Sequence, residues 1–293
     1  MTSISCEYLA FLESSTSCLA RMAFQEDMPL GDITAHVLSL RGRTGEAVII
    51  CREDVSFCGE AWFGTVVETY RGFVPNADIR VNCLATDGQR LPAGSTLMTL
   101  SGDVSDIVSL ERTLLNFLGR GIGIANATWQ HVAEVRRYTH VTQVLDTRKT
   151  LPGFRYFDKY AVLCGGGQNH RMGLSDMVLI KENHLAKLGG VGSAMTHVRQ
   201  LLQRPLPIQV EVCNLPQLDE AIAARVPLIM LDNFSPEMVA HAMARPYGES
   251  LLEVSGGVSL ANIGDYAPHA PHRISIGAIT HSVKAPDLSL LIQ

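Results

Sequence analysis

The chain has 293 residues, a formal net charge of −5, an ordinary apolar content and few aromatics. That length supports one large domain or two moderate ones with an ample core, and the negative balance argues against a nucleic-acid surface. Seven scattered cysteines without a CxxC pair argue against a disulfide framework or zinc site, and no apolar run reaches membrane-spanning length, so a soluble protein of the reducing cytoplasm is expected.

Residues 1–25 read as a helix, with Tyr8, Leu9, Leu12, Leu19, Met22 and Phe24 along one stripe. Residues 26–34 read as a loop whose acids face solvent. Between 45 and 107 the pattern is of strands and turns. Residues 47–51 form a buried strand and 61–70 a helix; 79–84 alternate toward an Asp87-Gly88 turn, and 97–100 follow Pro92-Ala93-Gly94. This is a small α+β layer with no catalytic grouping of its own. A long helix spans 107–138. Gly119, Gly121 and Gly123 weaken it, which points to a close approach of another helix or backbone. Arg112 lies well away from the line through Leu110 and Leu114, as a solvated arginine would.

From 141 onward one unit repeats: an apolar strand, a polar residue at its end, then a helix. The strands are 141–145, 177–180, 208–212, 228–231, 251–254 and 273–276. Their ends deliver Arg148 and Lys149, Lys181, Glu211, Asp232, Ser255-Gly256-Gly257 and Gly277. Strands alternating with helices imply a parallel sheet. So many chemistry-bearing strand ends fit a closed or nearly closed βα barrel better than an open sheet, with the active site at the carboxyl ends.

The stretch 146–184 is the centre of this arrangement. Pro152-Gly153 turns the chain into a short amphipathic helix that Gly165-Gly166-Gly167 ends; His170-Arg171 follow, and Met177-Val178-Leu179-Ile180 delivers Lys181. Arg148, Lys149, His170, Arg171 and Lys181 thus gather at the ends or edges of apolar segments, as a pocket for a strongly anionic molecule requires. The glycine turns of the last two units favour a phosphate, and His281, just past Gly277, reads either as a phosphate contact or as a residue that merely satisfies the helix start. Glu211 and Asp232 can hold Mg²⁺, bond sugar hydroxyls, stabilise positive charge on a reacting carbon, or merely pair with Lys181 or Arg171. His170 reads equally as neutral donor, cation or structural residue. Lys181 also permits a Schiff base, although the neighbouring cations favour anion clamping. No Walker, dinucleotide or triad pattern is present, and Cys164 reads as a small core residue.

Three stretches carry a resemblance: Asp146-Thr147-Arg148-Lys149-Thr150; Cys164-Gly165-Gly166-Gly167 with Asn169-His170-Arg171-Met172-Gly173-Leu174; and Leu179-Ile180-Lys181-Glu182-Asn183-His184. They resemble the quinolinate phosphoribosyltransferase family, the decarboxylating nicotinate-nucleotide pyrophosphorylases. Gly31-Asp32-Ile33-Thr34, Glu111-Arg112-Thr113, Leu231-Asp232-Asn233-Phe234, Glu253-Val254-Ser255-Gly256-Gly257 and Gly277-Ala278-Ile279-Thr280-His281-Ser282 extend the match over almost the whole chain. The resemblance implies an α/β fold: an N-terminal α/β sandwich domain over 1–117 and an open or incomplete α/β barrel over 118–293. It also implies a homodimer, or a higher multiple of dimers, with a shared active site. The implied reaction joins quinolinate to phosphoribosyl pyrophosphate with Mg²⁺, giving nicotinate mononucleotide, pyrophosphate and CO₂.

On the same footing, Arg112 is the arginine given to the neighbouring subunit. Arg148, Lys149, His170, Arg171 and Lys181 receive the quinolinate carboxylates and the pyrophosphate region, with Lys149 and Lys181 also in the catalytic set. Glu211 and Asp232 lie near the ribose and Mg²⁺, and Ser255, Gly256, Gly257, Gly277 and His281 near the 5-phosphate. The chain departs from the family wording at Gly119-Arg120-Gly121-Ile122-Gly123-Ile124-Ala125-Asn126, a difference of packing and not of chemistry. A sister group associated with molybdenum transport lacks the Asn-His-Arg and Ile-Lys-Glu-Asn-His wording. Two other readings stand beside this one: a Schiff-base or phosphosugar barrel lyase using Lys181, and a non-enzymatic small-anion binding protein.

Overall fold

The computed structural model describes residues 5–293; residues 1–4 of the expected first helix lie outside the described residues. In chain order the elements are α1 (Cys6–Asp27), α2 (Ile33–Val37), β1 (Thr44–Cys51), β2 (Val55–Ser56), α3 (Phe63–Phe73), β3 (Ile79–Cys83), β4 (Arg90–Leu91), β5 (Thr96–Asp103) and α4 (Val104–Arg136). There follow β6 (Gln143–Leu145), α5 (Arg155–Cys164), β7 (Val178–Ile180), α6 (Glu182–Leu188), α7 (Val191–Leu201), β8 (Ile208–Val212), α8 (Leu215–Ala223), β9 (Leu228–Asp232) and α9 (Pro236–Met243). The chain closes with β10 (Leu251–Ser255), α10 (Ile263–Tyr266), a 3₁₀ turn, β11 (Arg273–Ser275), α11 (Ala278–His281) and β12 (Leu288–Ile292). Two compact units emerge. One takes the chain through Trp129, then Thr150–Gly166 and Ile279–Gln293; the other takes Gln130–Lys149 and Gly167–Ala278.

The first unit is built on an antiparallel sheet of order β12-β1-β5-β3. Alternation in β1 buries Ala47, Ile49 and Cys51, the pattern of a strand with one face on a core. The C-terminal strand β12, which no sequence pattern announced, pairs with β1 from Ala47↔Ile292 to Cys51↔Leu288. Trp62, Phe117, Phe154 and Phe157 form an aromatic cluster, with Trp62 and Phe157 at 4.9 Å between centroids. The 33-residue α4 runs through its glycines without a break. The expected close approach is real at Gly123, where an added Cβ would lie 2.6 Å from the Lys284 carbonyl oxygen. Asp32 does not simply face solvent: it caps α2 by accepting the Ala35 N–H at 2.9 Å and also takes the Ser109 hydroxyl.

The second unit is a six-stranded parallel sheet of order β6-β11-β10-β9-β8-β7. It corrects the expectation of a closed or nearly closed barrel. Among the described residues β6 and β7 do not pair; the segment around Gln168 lies against β6 instead, with Gln168 N–H donating to the Val144 carbonyl and Asp146 N–H to the Gln168 carbonyl. The sheet is open, as the family resemblance implied. Register places residues from neighbouring strands on one face: Glu211 beside Met230 beside Glu253, and Asp232 beside Ser255 beside Ser275. With a period of two along each strand, Gln209 joins Glu211, and Glu253 joins Ser255, on that face. One side of the sheet therefore carries a deep polar layer and a polar rim at its carboxyl ends.

Candidate active site

The rim is assembled from strand ends. Lys181 follows β7 and opens α6, where its main-chain N–H donates to His184 Nδ1 at 3.0 Å. Its ammonium donates to Glu211 Oε2 at 2.7 Å, so Glu211 has a cationic partner. Asp232, at the end of β9, is half-buried. Burial first, and then the Glu211 charge, push its carboxyl pKa up, against the opposing pull of Lys181, the Asn233 amide and Lys149. Two acids and two lysines thus feel one another at the ends of neighbouring strands.

A second cationic group flanks them. Arg171 is partly withdrawn from water, and burial followed by the nearby Arg148 guanidinium lowers its pKa, with Asp176 opposing. Arg148 makes no ion pair among the described residues. Two guanidiniums that repel each other, neither in a salt bridge among the described residues, form a receptor for an anion. The chain from His170 to Gly173 lies outside any helix or strand, yet four successive main-chain N–H groups are satisfied by side chains. Asp146 Oδ1 accepts from His170 at 2.9 Å, His170 Nδ1 from Arg171 at 2.8 Å, and Asp176 from Met172 and Gly173 at 2.6 and 2.9 Å.

His170 itself is buried, with Nε2 at 2.9 Å from Gln209 Oε1 and 3.4 Å from Glu253 Oε1, while Gln209 Nε2 donates to Glu253 Oε2 at 3.0 Å. Burial alone would raise the Glu253 pKa; His170 and Gln209, together with the Ser275 hydroxyl nearby, hold it below the usual carboxylate range. Sequence reasoning assigned no role to Gln209 or Glu253. The available signal was a polar residue in the interior of each of two strands, IQVEV and LLEVS, two positions before the polar residue nearer the carboxyl end and so on the same face as it.

Beyond Ser255 the chain turns through Gly256 at φ +92° and Gly257 at φ +64°. A Cβ on Gly256 would stand 2.2 Å from Asn233 Oδ1, so only glycine fits there. Asn233, itself left-handed, donates its main-chain N–H to the Ser255 carbonyl at 2.8 Å and its amide to Asp232 Oδ2 at 2.9 Å. The loops after β9 and β10 are therefore interlocked. Gly277 follows β11 in the same unit, and the adjacent Ile276 N–H donates to the Leu145 carbonyl.

The second unit thus carries Arg148, Lys149, His170, Arg171, Lys181, Glu211, Asp232, Ser255, Gly256, Gly257 and Gly277, whereas Arg112 and His281 belong to the first. His281 is exposed, with Nδ1 at 2.8 Å from the Ser282 hydroxyl. Arg112 is exposed on α4 and makes no ion pair among the described residues. With Glu26, Asp27, Asn116 and Arg120 it lines a cavity of about 300 Å³ within the first unit. Cys164 is buried beside Cys58 and Asp87. The oxygens of Asp87 are already held by the N–H groups of Gly59, Glu60 and Ala61 and by the Tyr160 hydroxyl, which leaves Cys164 as the core residue its sequence suggested.

Comparison with known proteins agrees with this construction. Residues 32–121 match the family model of the quinolinate phosphoribosyl transferase N-terminal domain, and residues 124–291 that of its C-terminal domain. A nicotinate-nucleotide pyrophosphorylase [carboxylating] of Mycobacterium leprae is 38% identical over 92% of this chain and 94% of its own. A mitochondrial quinolinate phosphoribosyltransferase [decarboxylating] of Nicotiana tabacum is 35% identical over 93% of this chain and 80% of its own. The solved structure of the nicotinate-nucleotide pyrophosphorylase from Francisella tularensis superposes with a TM-score of 0.88 at 40% identity, covering 96% of this chain and 97% of that one. Two consecutive domain matches, full-length relatives and a shared fold have one reading: the chain belongs to the quinolinate phosphoribosyltransferase family.

Proposed function

We propose that the protein transfers the phosphoribosyl group of phosphoribosyl pyrophosphate to the ring nitrogen of quinolinate and releases pyrophosphate and CO₂, an enzyme of pyridine nucleotide synthesis. The labels "carboxylating" and "decarboxylating" read one overall reaction in opposite directions. The observation that carries the reading is the division of charge at the strand ends: the Arg148–Arg171 pair, whose mutual repulsion Asp176 offsets only in part, on one side, and the Lys149, Lys181, Glu211 and Asp232 cluster on the other. The first suits a planar dicarboxylate and the second an activated, polyanionic sugar.

Both substrates are anions, and the cations offset their mutual repulsion so that the ring nitrogen and the sugar C1 can meet. As the bond from C1 to the pyrophosphate oxygen breaks, positive charge grows on the ribose, and Glu211 and Asp232 stabilise it. The nitrogen lone pair forms the new bond to C1 and the nitrogen becomes quaternary. The positive nitrogen then stabilises, by its charge, the electron pair that stays on C2 as the adjacent carboxylate departs as CO₂, and that pair takes up a proton from water to form the C2–H bond. Glu211 and Asp232 offer hard oxygen donors close enough for one charge to raise the other's pKa, a donor set that fits Mg²⁺. When bound with the pyrophosphate, Mg²⁺ supplies neutralisation of its charge. Ser255, Gly256, Gly257 and Gly277 are assigned to the 5-phosphate, and Arg112 to the site of a second subunit in a homodimer. Lys181 already has Glu211 as a partner at 2.7 Å, a contact that a Schiff-base nucleophile would have to give up, and this disfavours the lyase reading.

The test is an assay of the purified protein with quinolinate, phosphoribosyl pyrophosphate and Mg²⁺. Nicotinate mononucleotide, pyrophosphate and CO₂ should appear in equal amounts, and borohydride should trap no substrate on Lys181. Absence of pyrophosphate release would refute the transfer, and a trapped adduct would move the protein to the lyases.

A further inference from the structure

Glu253 is an acid where the sheet would be served better by an apolar residue. It stands in the middle of β10 between Leu252 and Val254, all three buried, and an unpaired carboxylate there would be strongly destabilising. Its Oε2 accepts from Gln209 Nε2 at 3.0 Å, and its Oε1 lies 3.4 Å from His170 Nε2, which is also 2.9 Å from Gln209 Oε1. On the far side of the imidazole, Nδ1 accepts the main-chain N–H of Arg171 at 2.8 Å. A nitrogen that accepts a hydrogen bond carries no proton, so the ring bears its proton on Nε2, aimed at Gln209 and Glu253. An imidazolium–carboxylate pair would need a proton on Nδ1 as well, and two N–H donors would then face each other at that distance.

The geometry points to Glu253 and Gln209 as positioning residues: by fixing His170 as the neutral Nε2–H tautomer, they make its Nδ1 a standing acceptor for the Arg171 main chain and so set where the Arg171 guanidinium meets a substrate carboxylate. This rests on the quinolinate reading of the pocket. His170 is then a strut beneath the arginine and not a cationic ligand of the substrate. Such a strut has a reason to exist. Arg171 and Arg148 repel each other, and no helix or strand holds the chain that carries Arg171. Before an anion arrives, the repulsion must be resisted from below, and the run of side-chain acceptors from Asp146 through His170 to Asp176 does so. Gln209 and Glu253 terminate that run in the deep polar layer of the sheet.

The test uses the full-length protein. In ¹⁵N-labelled parent without substrate, long-range proton–nitrogen spectra at neutral pH should show His170 neutral, with its proton on Nε2; an Nδ1–H tautomer or a doubly protonated ring overturns the proposal. Glu253→Leu and Gln209→Leu should each raise the KM for quinolinate about tenfold, while the KM for phosphoribosyl pyrophosphate stays within about twofold. Glu253→Gln, which keeps an oxygen acceptor, should recover most of the loss and remains available if the leucine variants do not fold. A merely structural role would lower the melting temperature and the active fraction but move neither KM, and that result also overturns the proposal. Should the parent catalyse no transfer at all, the substrate reading fails, and the His170 spectrum alone still decides the tautomer claim.

Discussion

Asp232 is held in the folded protein against its own preference. Burial and the Glu211 carboxylate raise its pKa, and Lys181 and Lys149 offset that only in part. The folded state therefore binds the Asp232 proton more firmly than the unfolded chain does. As pH rises through the raised native pKa, ionising the group costs stability, and the cost is absent where both states are protonated. Asp232→Asn removes it. The variant should melt above the parent at about pH 7 and show no gain at about pH 3, below the ordinary carboxylate range. The same change removes a charge that faces the developing positive ribose, and turnover should fall about a hundredfold or more. Melting curves at the two pH values, read beside initial rates, check both halves. A lower melting temperature at neutral pH with full turnover would remove Asp232 from the site.

At the scale of the element, α4 shows why a glycine-rich helix can be the right one. Gly123 faces the Lys284 carbonyl and the Val283 side chain, with an added Cβ at 2.6 and 2.8 Å, whereas the nearest neighbour of a Cβ at Gly119 is Ala285 at 3.4 Å. Gly123→Ala should therefore destabilise by about 1–3 kcal/mol through overpacking, although alanine is the better helix former. Gly119→Ala should stabilise by about 0.5–1 kcal/mol. Denaturant unfolding of the two variants checks the contrast, and equal effects would show that the C-terminal segment does not constrain α4. These glycines were legible as a sign of close approach, but the approaching backbone was not, because it lies some 160 residues further along the chain.

The same limit separates the strands that could be read from those that could not. Ile208–Val212, Leu228–Asp232 and Leu251–Ser255 are short apolar runs between turn residues, and burial on both faces makes such runs visible. β12 reads as a chain end, because its partner β1 lies at the other end of the sequence. The open edge of the parallel sheet was hidden from the strand pattern, since alternation reports faces and not which strands remain unpaired; only the family resemblance implied it. Among the site residues, Arg148, Lys149, Lys181, Glu211 and Asp232 stood out as charges at strand ends. Gln209 and Glu253 did not, because their roles depend on partners on other strands.

For the molecule as a whole, a net charge of −5 coexists with a local concentration of cations that is completed, on the reading proposed here, only by a second copy of the chain. Arg112 is exposed on α4, makes no ion pair among the described residues and lies in the unit that lacks the strand-end cluster. An arginine so placed is free to serve a neighbour, and a two-fold assembly would then contain two sites, each using one Arg112 and the Lys149 of the other subunit. That arrangement predicts complementation. Arg112→Ala and Lys149→Ala homodimers should each be nearly inactive. After mixing and subunit exchange, half of the dimers are hybrids, and each hybrid has one site carrying both substitutions and one carrying neither. Activity should return to about one quarter of the parent's at the same total concentration. The quantity to measure is pyrophosphate release before and after exchange, with dissociation and reassociation followed by sedimentation. Exchange that proceeds without any recovery would mean that Arg112 and Lys149 act within one chain, or that Arg112 takes no part, and the shared site would have to be abandoned.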